Sequence, residues 1–233
     1  MKVYWRTFTR KHTPDPDNFP FGIRFYDAEQ GGGKSLSMVF DAIQLKSEFE
    51  DMLLISNIHI KDLNNQYNFE TVEELINLLE FSQHHNHTLV IIDEALTYFA
   101  ENGGIDPALM NKITQNRKCR RFIMLATQKF KRVNNRLRDF SLETVKCNHI
   151  LNFQINTVRD DTTLIWSKDE MDFIGQRKYI YIFKRHDDLY SRYDTFASIH
   201  LDTTTKTGSL IESPSPATHI ASGVFDELLK HRK

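Results

Sequence analysis

Two short stretches of the sequence carry residue types that do chemistry. Residues 27–37, DAEQGGGKSLS, set three consecutive glycines against a lysine and a serine, directly after the apolar run GIRFY. A turn that bare exposes successive backbone N–H groups, and a helix starting at its end adds partial positive charge. Together they cradle phosphate oxygens. In that arrangement Lys34 reaches the β- and γ-phosphates of a nucleotide, and the Ser35 hydroxyl helps to hold Mg2+. The usual pattern is G-x-x-x-x-G-K-[ST]; here Ala28 stands first, at a place that needs a small residue rather than positive φ. Candidate nucleotide contacts are Ala28, Glu29, Gln30, Gly31, Gly32, Gly33, Lys34, Ser35 and Leu36. Further on, the apolar run 89–92 delivers Asp93 and Glu94 to the end of a buried strand. An aspartate there completes the Mg2+ shell with Ser35, and the glutamate polarises an attacking water. The acidic pair alone would also suit a helix cap after a core strand; the glycine loop upstream decides for the chemistry. The strand RFIMLATQ ends in Thr127 and Gln128, and Gln128 at that tip can sense a γ-phosphate. Asn57, in ISNIHI, is a candidate for an analogous tip.

From Lys112 to Arg138 the chain has no acidic residue and carries ten of its 30 lysines and arginines. Ordinary surfaces mix signs, which weighs against a merely solvated face. Two uses compete. Arginines can enter a neighbouring subunit's phosphate site and stabilise the charge of phosphoryl transfer; the candidates are Arg117, then Arg136 and Arg138. Lys129, Lys131 and Arg132, in KFKR, are the candidates for a nucleic-acid backbone, where phosphate contacts give affinity without sequence preference. His84, His85 and His87 have no carboxylate or cysteine spaced for a metal and read as a polar connection. Tyr179, Tyr181, Phe183, Tyr190, Tyr193 and Phe196 read as core and sheet packing rather than a base-stacking platform.

Residues so far apart must be brought together by a scaffold. The 233 residues suffice for one generous domain, and 40% hydrophobic with 26% charged residues is ordinary for a globular core. A net charge of −1 excludes wholesale coating of nucleic acid but leaves room for a basic face. Cys119 and Cys147 lack metal-ligand spacing and suit a reducing compartment. No secretory signal opens the sequence, and no run approaches the ~20 apolar residues of a spanning helix, which predicts a cytoplasmic protein. Strands are predicted at MKVYWRTF, GIRFYDA, DMLLISNIHI, TLVIIDEA and RFIMLATQ. Helices are predicted at LSMVFDAIQLKSEF, at ETVEELINLLEF behind a Thr71-x-x-Glu74 capping box, at PALMNKITQNRKCR and, shortly, at NNRLRDFSLE. Such alternation gives an α/β fold: a mostly parallel central sheet with helices on both faces. Glutamate beside the strand-end aspartate marks the P-loop NTPase branch with an additional strand between the two motifs. Later, HILNFQINTVRDDTTLIWSK suggests two strands around an RDD turn, and KYIYIFKRHDDLYSRYDTF more β-structure. The expected organisation is one domain over residues 1–205, with an N-terminal strand and loop at 1–20 and an antiparallel β extension at 146–205. A mobile Ser/Thr/Pro-bearing tail with a short terminal helix, GVFDELLKHRK, is expected at 206–233.

AEQGGGKS, ISNI, VIIDEA with Phe99 shortly after, NRKCRRFIMLATQ and SRYDTF together resemble the zonular-occludens-toxin-like ATPases of phages and mobile elements, within the FtsK/HerA superfamily of DNA-translocating motors. The resemblance spans about residues 22–196. It implies MgATP binding by Lys34, Ser35 and Asp93, water activation by Glu94, a sensor in Gln128 and a trans-acting arginine finger. It also implies a homo-oligomeric ring, a pentamer or hexamer, acting on double-stranded DNA. Filamentous-phage members usually continue into a membrane span and a further domain, which this sequence lacks. The resemblance therefore inclines towards a viral genome-packaging ATPase in the bacterial host cytoplasm, working with a procapsid portal. The alternatives are an ATPase for virion extrusion or conjugative transfer at a membrane, and an ATP-dependent assembly switch that moves no DNA. A large terminase fits less well, because the region after residue 145 lacks a carboxylate cluster for a nuclease.

Overall fold

Four apolar residues in a row at 89–92 demand a strand with protein on both sides. The protein, seen as a computed structural model, has one there. Residues 3–5, 19–99, 104–116 and 118–193 are described. Residues 6–18, which hold most of the N-terminal loop expected within 1–20, lie outside them, as do Arg117, Phe196 and the tail 206–233 with its expected helix. Nine strands form one sheet: β1 (Val3–Trp5), β2 (Gly22–Asp27), β3 (Leu53–Ser56), β4 (Gln66–Asn68), β5 (Thr88–Ile92), β6 (Arg121–Thr127), β7 (Ser141–Ile150), β8 (Phe153–Ser167) and β9 (Asp172–Lys184). Their spatial order is β1-β9-β8-β7-β2-β6-β5-β3-β4. The six from β7 to β4 are parallel. β8 runs antiparallel between β7 and β9, and β1 pairs parallel with β9. The mostly parallel sheet and its antiparallel extension follow the predicted pattern.

Side chains alternate across the parallel strands, and both sets are buried. Tyr26, Leu54, Leu89, Ile91 and Met124 pack with Met38, Val39 and Phe40 of helix α1 (Lys34–Glu48). Phe25, Ile55, Val90, Ile92 and Ile123 face α2 (Val72–Phe81), α4 (Pro107–Thr114) and α5 (Asn135–Arg138) on the other side. Each fully buried Leu, Ile or Phe contributes roughly 1.5–3 kcal/mol. Two short helices complete the described set, α3 (Leu96–Phe99) and α6 (Asp187–Ser191). The Thr71 capping box is present: Thr71 Oγ1 accepts from Glu74 N at 3.2 Å, and Glu74 Oε2 accepts from Thr71 N at 3.3 Å.

Helix α1 is fastened to the sheet by one buried carboxylate. Asp41 Oδ2 accepts from the hydroxyls of Tyr26 (2.6 Å) and Tyr181 (2.8 Å), with the Arg24 guanidinium 3.6 Å away. A buried carboxylate is tolerable only with donors around it, so β2, α1 and β9 are held in one arrangement.

Four predicted elements change. The helix expected through Arg120 stops at Thr114, while Arg121 begins β6 as predicted. Its fully buried guanidinium donates to Lys112 O (2.9 Å), Leu79 O (2.6 Å) and Ser82 Oγ (2.8 Å), which closes the chain back on itself. Arg121 is thus a strut within the basic stretch. Ser141–Glu143, expected in a helix, begins β7 because Ser141 pairs with Ile23 of β2. The turn expected at RDD is at Leu151–Asn152, where Ile150 faces Phe153 and Leu151 takes φ 51°. Arg159–Asp161 lies inside β8 at a register shift. There Asp161 turns inward and accepts from the Ser141 hydroxyl and from Thr144 Oγ1 (2.7 Å). Finally, β3 ends at Ser56, short of the predicted ISNIHI run.

Two predictions follow from these buried polar groups. Burial pushes the Asp161 carboxyl up to about 6 despite its two hydroxyl donors. The folded protein then keeps a proton there that the unfolded chain releases near pH 4, so this residue's contribution to stability falls as pH rises from about 4 to 6. Asp161→Asn removes that fall; relative to wild type it gains about 3 kcal/mol between pH 4 and pH 7 in urea unfolding. Arg121→Met deletes three hydrogen bonds from a charged donor and lowers unfolding stability by about 2–4 kcal/mol at pH 7, read as a lower urea midpoint.

Candidate active site

The glycine loop follows β2 and leads into α1 with the geometry that its sequence requires. Gly31 (φ 78°) and Gly33 (φ 85°) both take the left-handed conformation that side chains resist. At Gly32 a Cβ would come within 2.6 Å of the Ala28 Cβ, so the tight turn needs small residues at both positions. Ala28 itself has no positive φ, and Gly32 N donates to Glu29 O (3.1 Å). Lys34 Nζ arches back over the loop and donates to Ala28 O and Glu29 O, both at 3.0 Å. An ammonium has three N–H donors, so one is left for a phosphate. Glu29, Gln30 and Gly31 are exposed on the loop's rim, whereas the Leu36 side chain is buried in the core and can offer only its backbone N–H.

The acidic pair meets this loop across the sheet. Ser35 Oγ donates to Asp93 Oδ2 at 2.7 Å, across 58 residues of sequence. Asn57 clamps the aspartate's backbone from the end of β3: its Oδ1 accepts from Asp93 N (2.8 Å) and its Nδ2 donates to Asp93 O (2.9 Å). Asn57 lies just beyond the end of β3, with its own N–H still donating to Ile91 O of β5 (3.3 Å). Burial pushes the Asp93 carboxyl above the usual carboxylate range, while the Ser35 hydroxyl, the Glu94 N–H and Lys34 pull the other way. A hydroxyl oxygen and a carboxylate oxygen in contact, beside a phosphate cradle, form the donor set that a hard divalent cation such as Mg2+ takes.

Glu94 is exposed and sits at φ 57°, a conformation that costs a non-glycine residue about 1–2 kcal/mol. Its own N–H is held by Asp93 Oδ1 at 3.1 Å. β6 lies between β2 and β5, with Thr127 paired to Asp27, so Gln128 stands exposed at the same sheet end as the loop and the acidic pair. Glycine loop, Ser35, Asp93, Glu94, Asn57 and Gln128 are therefore gathered at one edge.

The basic candidates are more dispersed. Arg138 donates to Lys131 O (2.9 Å) and covers the Phe173 ring, while Arg136 is exposed. The Lys131 ammonium lies over Trp166, 5.7 Å from the ring centroid; Lys129 and Arg132 are exposed. His87 is buried against Phe19 and Phe49 with Nδ1 3.0 Å from Asp51, so the histidine run is partly core and not simply a polar connection. Tyr181 and Phe183 are buried, as core packing requires.

Three groups near the loop lie outside the two sequence motifs. Gln154 and Asn156 of β8 are fully buried beneath it, with Gln154 Nε2 donating to Gly32 O (3.0 Å). Lys146 of β7 pairs with Asp27, the residue before Ala28, at 2.9 Å and lies 3.8 Å from Glu170. A polar residue at an inward strand position was the available sign for Gln154 and Asn156, but the strand's register had to be known first.

Among the described residues no helix is long and apolar enough to cross a membrane. A search of curated protein sequences gives no match. The fold resembles the N-terminal domain of zonular occludens toxin from Neisseria meningitidis, at 15% identity and TM-score 0.51, over 74% of this chain and 98% of that one. The genome packaging NTPase B204 from Sulfolobus turreted icosahedral virus 2, in complex with ATP-gammaS, aligns at 14% identity and TM-score 0.49, over 64% of this chain and 94% of that one. Residues 23–162 match the zonular occludens toxin (Zot) family, which contains both the glycine loop and the acidic pair, and the chain belongs to that family.

Proposed function

We propose that this protein is a Mg2+-dependent ATPase that moves double-stranded DNA as a ring of identical subunits, in viral genome packaging. The 2.7 Å bond between Ser35 and Asp93 carries the ATPase part, because it joins a phosphate cradle to a carboxylate at the point where a nucleotide-bound cation belongs. The loop's N–H groups and the remaining N–H of Lys34 hold the phosphates, and Ser35 and Asp93 hold Mg2+. When bound, Mg2+ neutralises charge on the phosphate oxygens. Glu94, exposed at the end of β5, orients and deprotonates the attacking water. Gln128 senses the γ-phosphate. Most of the acceleration comes from positioning and charge stabilisation, since phosphoryl transfer asks little covalent chemistry of the protein.

DNA movement and ring assembly rest on the sequence resemblance. In that scheme an arginine among Arg117, Arg136 and Arg138 completes the neighbouring subunit's site. Lys129, Lys131 and Arg132 contact the DNA backbone. The work takes place in the host cytoplasm, against a procapsid portal. Membership of the Zot family favours a second reading in which the same ATPase drives virion extrusion or conjugative transfer at a membrane. Co-fractionation with membranes or a secretion pore, rather than with procapsids, selects it.

Glu94→Gln is expected to leave nucleotide affinity within about twofold of wild type and to lower turnover about 100-fold or more. Turnover that survives removes Glu94 as the base. Lys34→Ala weakens nucleotide binding itself, by about tenfold or more. Added double-stranded DNA raises the wild-type rate; a rate indifferent to DNA replaces the motor with an assembly switch.

A further inference from the structure

A loop that offers its N–H groups to phosphate must have its carbonyls fixed on the opposite side. One of them is held directly from the antiparallel extension, and a second, which already accepts from Ser37 N of α1 (2.9 Å), is reached from it through side chains. Gln154 Nε2 donates to Gly32 O (3.0 Å) and to Asn156 Oδ1 (3.2 Å). Asn156 Nδ2 donates to Ser37 Oγ (2.9 Å), and Ser37 Oγ donates to Gly33 O (2.7 Å). The relay begins on the carbonyl of Gly32 and ends on that of Gly33. Each peptide unit is planar and trans, so its C=O and N–H point in opposite directions. Holding the oxygens of Gly32 and Gly33 therefore aims the N–H groups of Gly33 and Lys34 away from the relay.

Gln154 also carries an oddity. Its Oε1 is buried without a hydrogen-bond partner, and it lies against Gly33, where a Cβ would collide with the carboxamide. Leaving a buried carbonyl unsatisfied costs about 1–3 kcal/mol, which an apolar side chain of the same size would avoid. The carboxamide's return is its grip on the loop.

We propose that Gln154 is a positioning residue for the nucleotide triphosphate. It orients the Gly33 N–H directly through Gly32 O, backs the Lys34 N–H through the Asn156–Ser37 relay beside the Ser37 backbone bond, and so makes β8 part of the phosphate site. The inference rests on nucleotide binding at this loop, as proposed above.

The test compares wild type, Gln154→Met and Asn156→Leu in three measurements. These are titration with a fluorescent non-hydrolysable ATP analogue, steady-state ATP hydrolysis, and melting of the nucleotide-free protein. Gln154→Met keeps the volume and loses the donors; analogue Kd and ATP KM are expected to rise about tenfold, with kcat changed less than about threefold. Asn156→Leu shifts both constants in the same direction, and the double variant loses less than the sum of the singles. Unchanged affinity in a folded Gln154→Met overturns the proposal, as does a lowered melting temperature with unchanged affinity. Collapse of both variants assigns the relay to folding alone and overturns it too. Wild-type protein that binds no analogue overturns the ATPase reading as well, so the two failures are separable.

Discussion

Everything in the site depends on holding four carbonyls of the loop while the N–H groups that face the phosphates stay open. On the sheet side of the loop, against the buried Gln154 and Ser37, an unpaired acceptor is expensive. Lys34 takes Ala28 O and Glu29 O, Ser37 takes Gly33 O, and Gln154 takes Gly32 O. One donor comes from the loop's own lysine, one from the first turns of α1, and one from a strand more than a hundred residues later. The antiparallel extension is consequently a support for the phosphate loop as well as an addition to the sheet. Asp41 has a parallel role for α1, since its tyrosine donors fix the helix whose N-terminus closes the loop.

The acidic half of the site is built on the same logic from the other side. Asn57 bonds both backbone groups of Asp93, leaving the carboxylate to meet Ser35 and the Glu94 N–H. Burial raises the cost of its charge, and a cation at the Ser35–Asp93 oxygens would offset that cost. At the base of the loop, Lys146 links Asp27 to Glu170 near the β8–β9 turn. The β8–β9 hairpin also meets the basic segment, with Lys131 over Trp166 and Arg138 over Phe173. Lys131, one of the residues proposed for DNA contact, is thus joined physically to the strands that support the nucleotide loop.

The parallel half of the fold was legible because its central strands are apolar on both faces and α2 carries a capping box. The two motifs were legible because glycines at positive φ and a strand-end Asp-Glu pair are demanded by chemistry. What the sequence hid was decided by tertiary contacts. Arg121 looked like part of a basic face, yet the carbonyls of Leu79 and Lys112 required a buried donor and drew it in. RDD looked like a turn, yet Ser141 and Thr144 gave Asp161 hydroxyl donors inside the sheet. Gln154 and Asn156 stayed hidden because their partners, Gly32 O and the Ser37 hydroxyl, lie far away in sequence, which no local pattern encodes. β4 escaped for a different reason: three polar residues on a sheet edge carry almost no periodicity.

The central claim is that Ser35 and Asp93 form the cation half of a nucleotide site whose phosphate half is the glycine loop. Calorimetric titration of wild-type protein with a non-hydrolysable ATP analogue, with and without Mg2+, tests it directly. The account predicts one site per chain and an affinity about tenfold or more tighter with Mg2+. Equal affinity with and without the cation, or no binding in either condition, would contradict it.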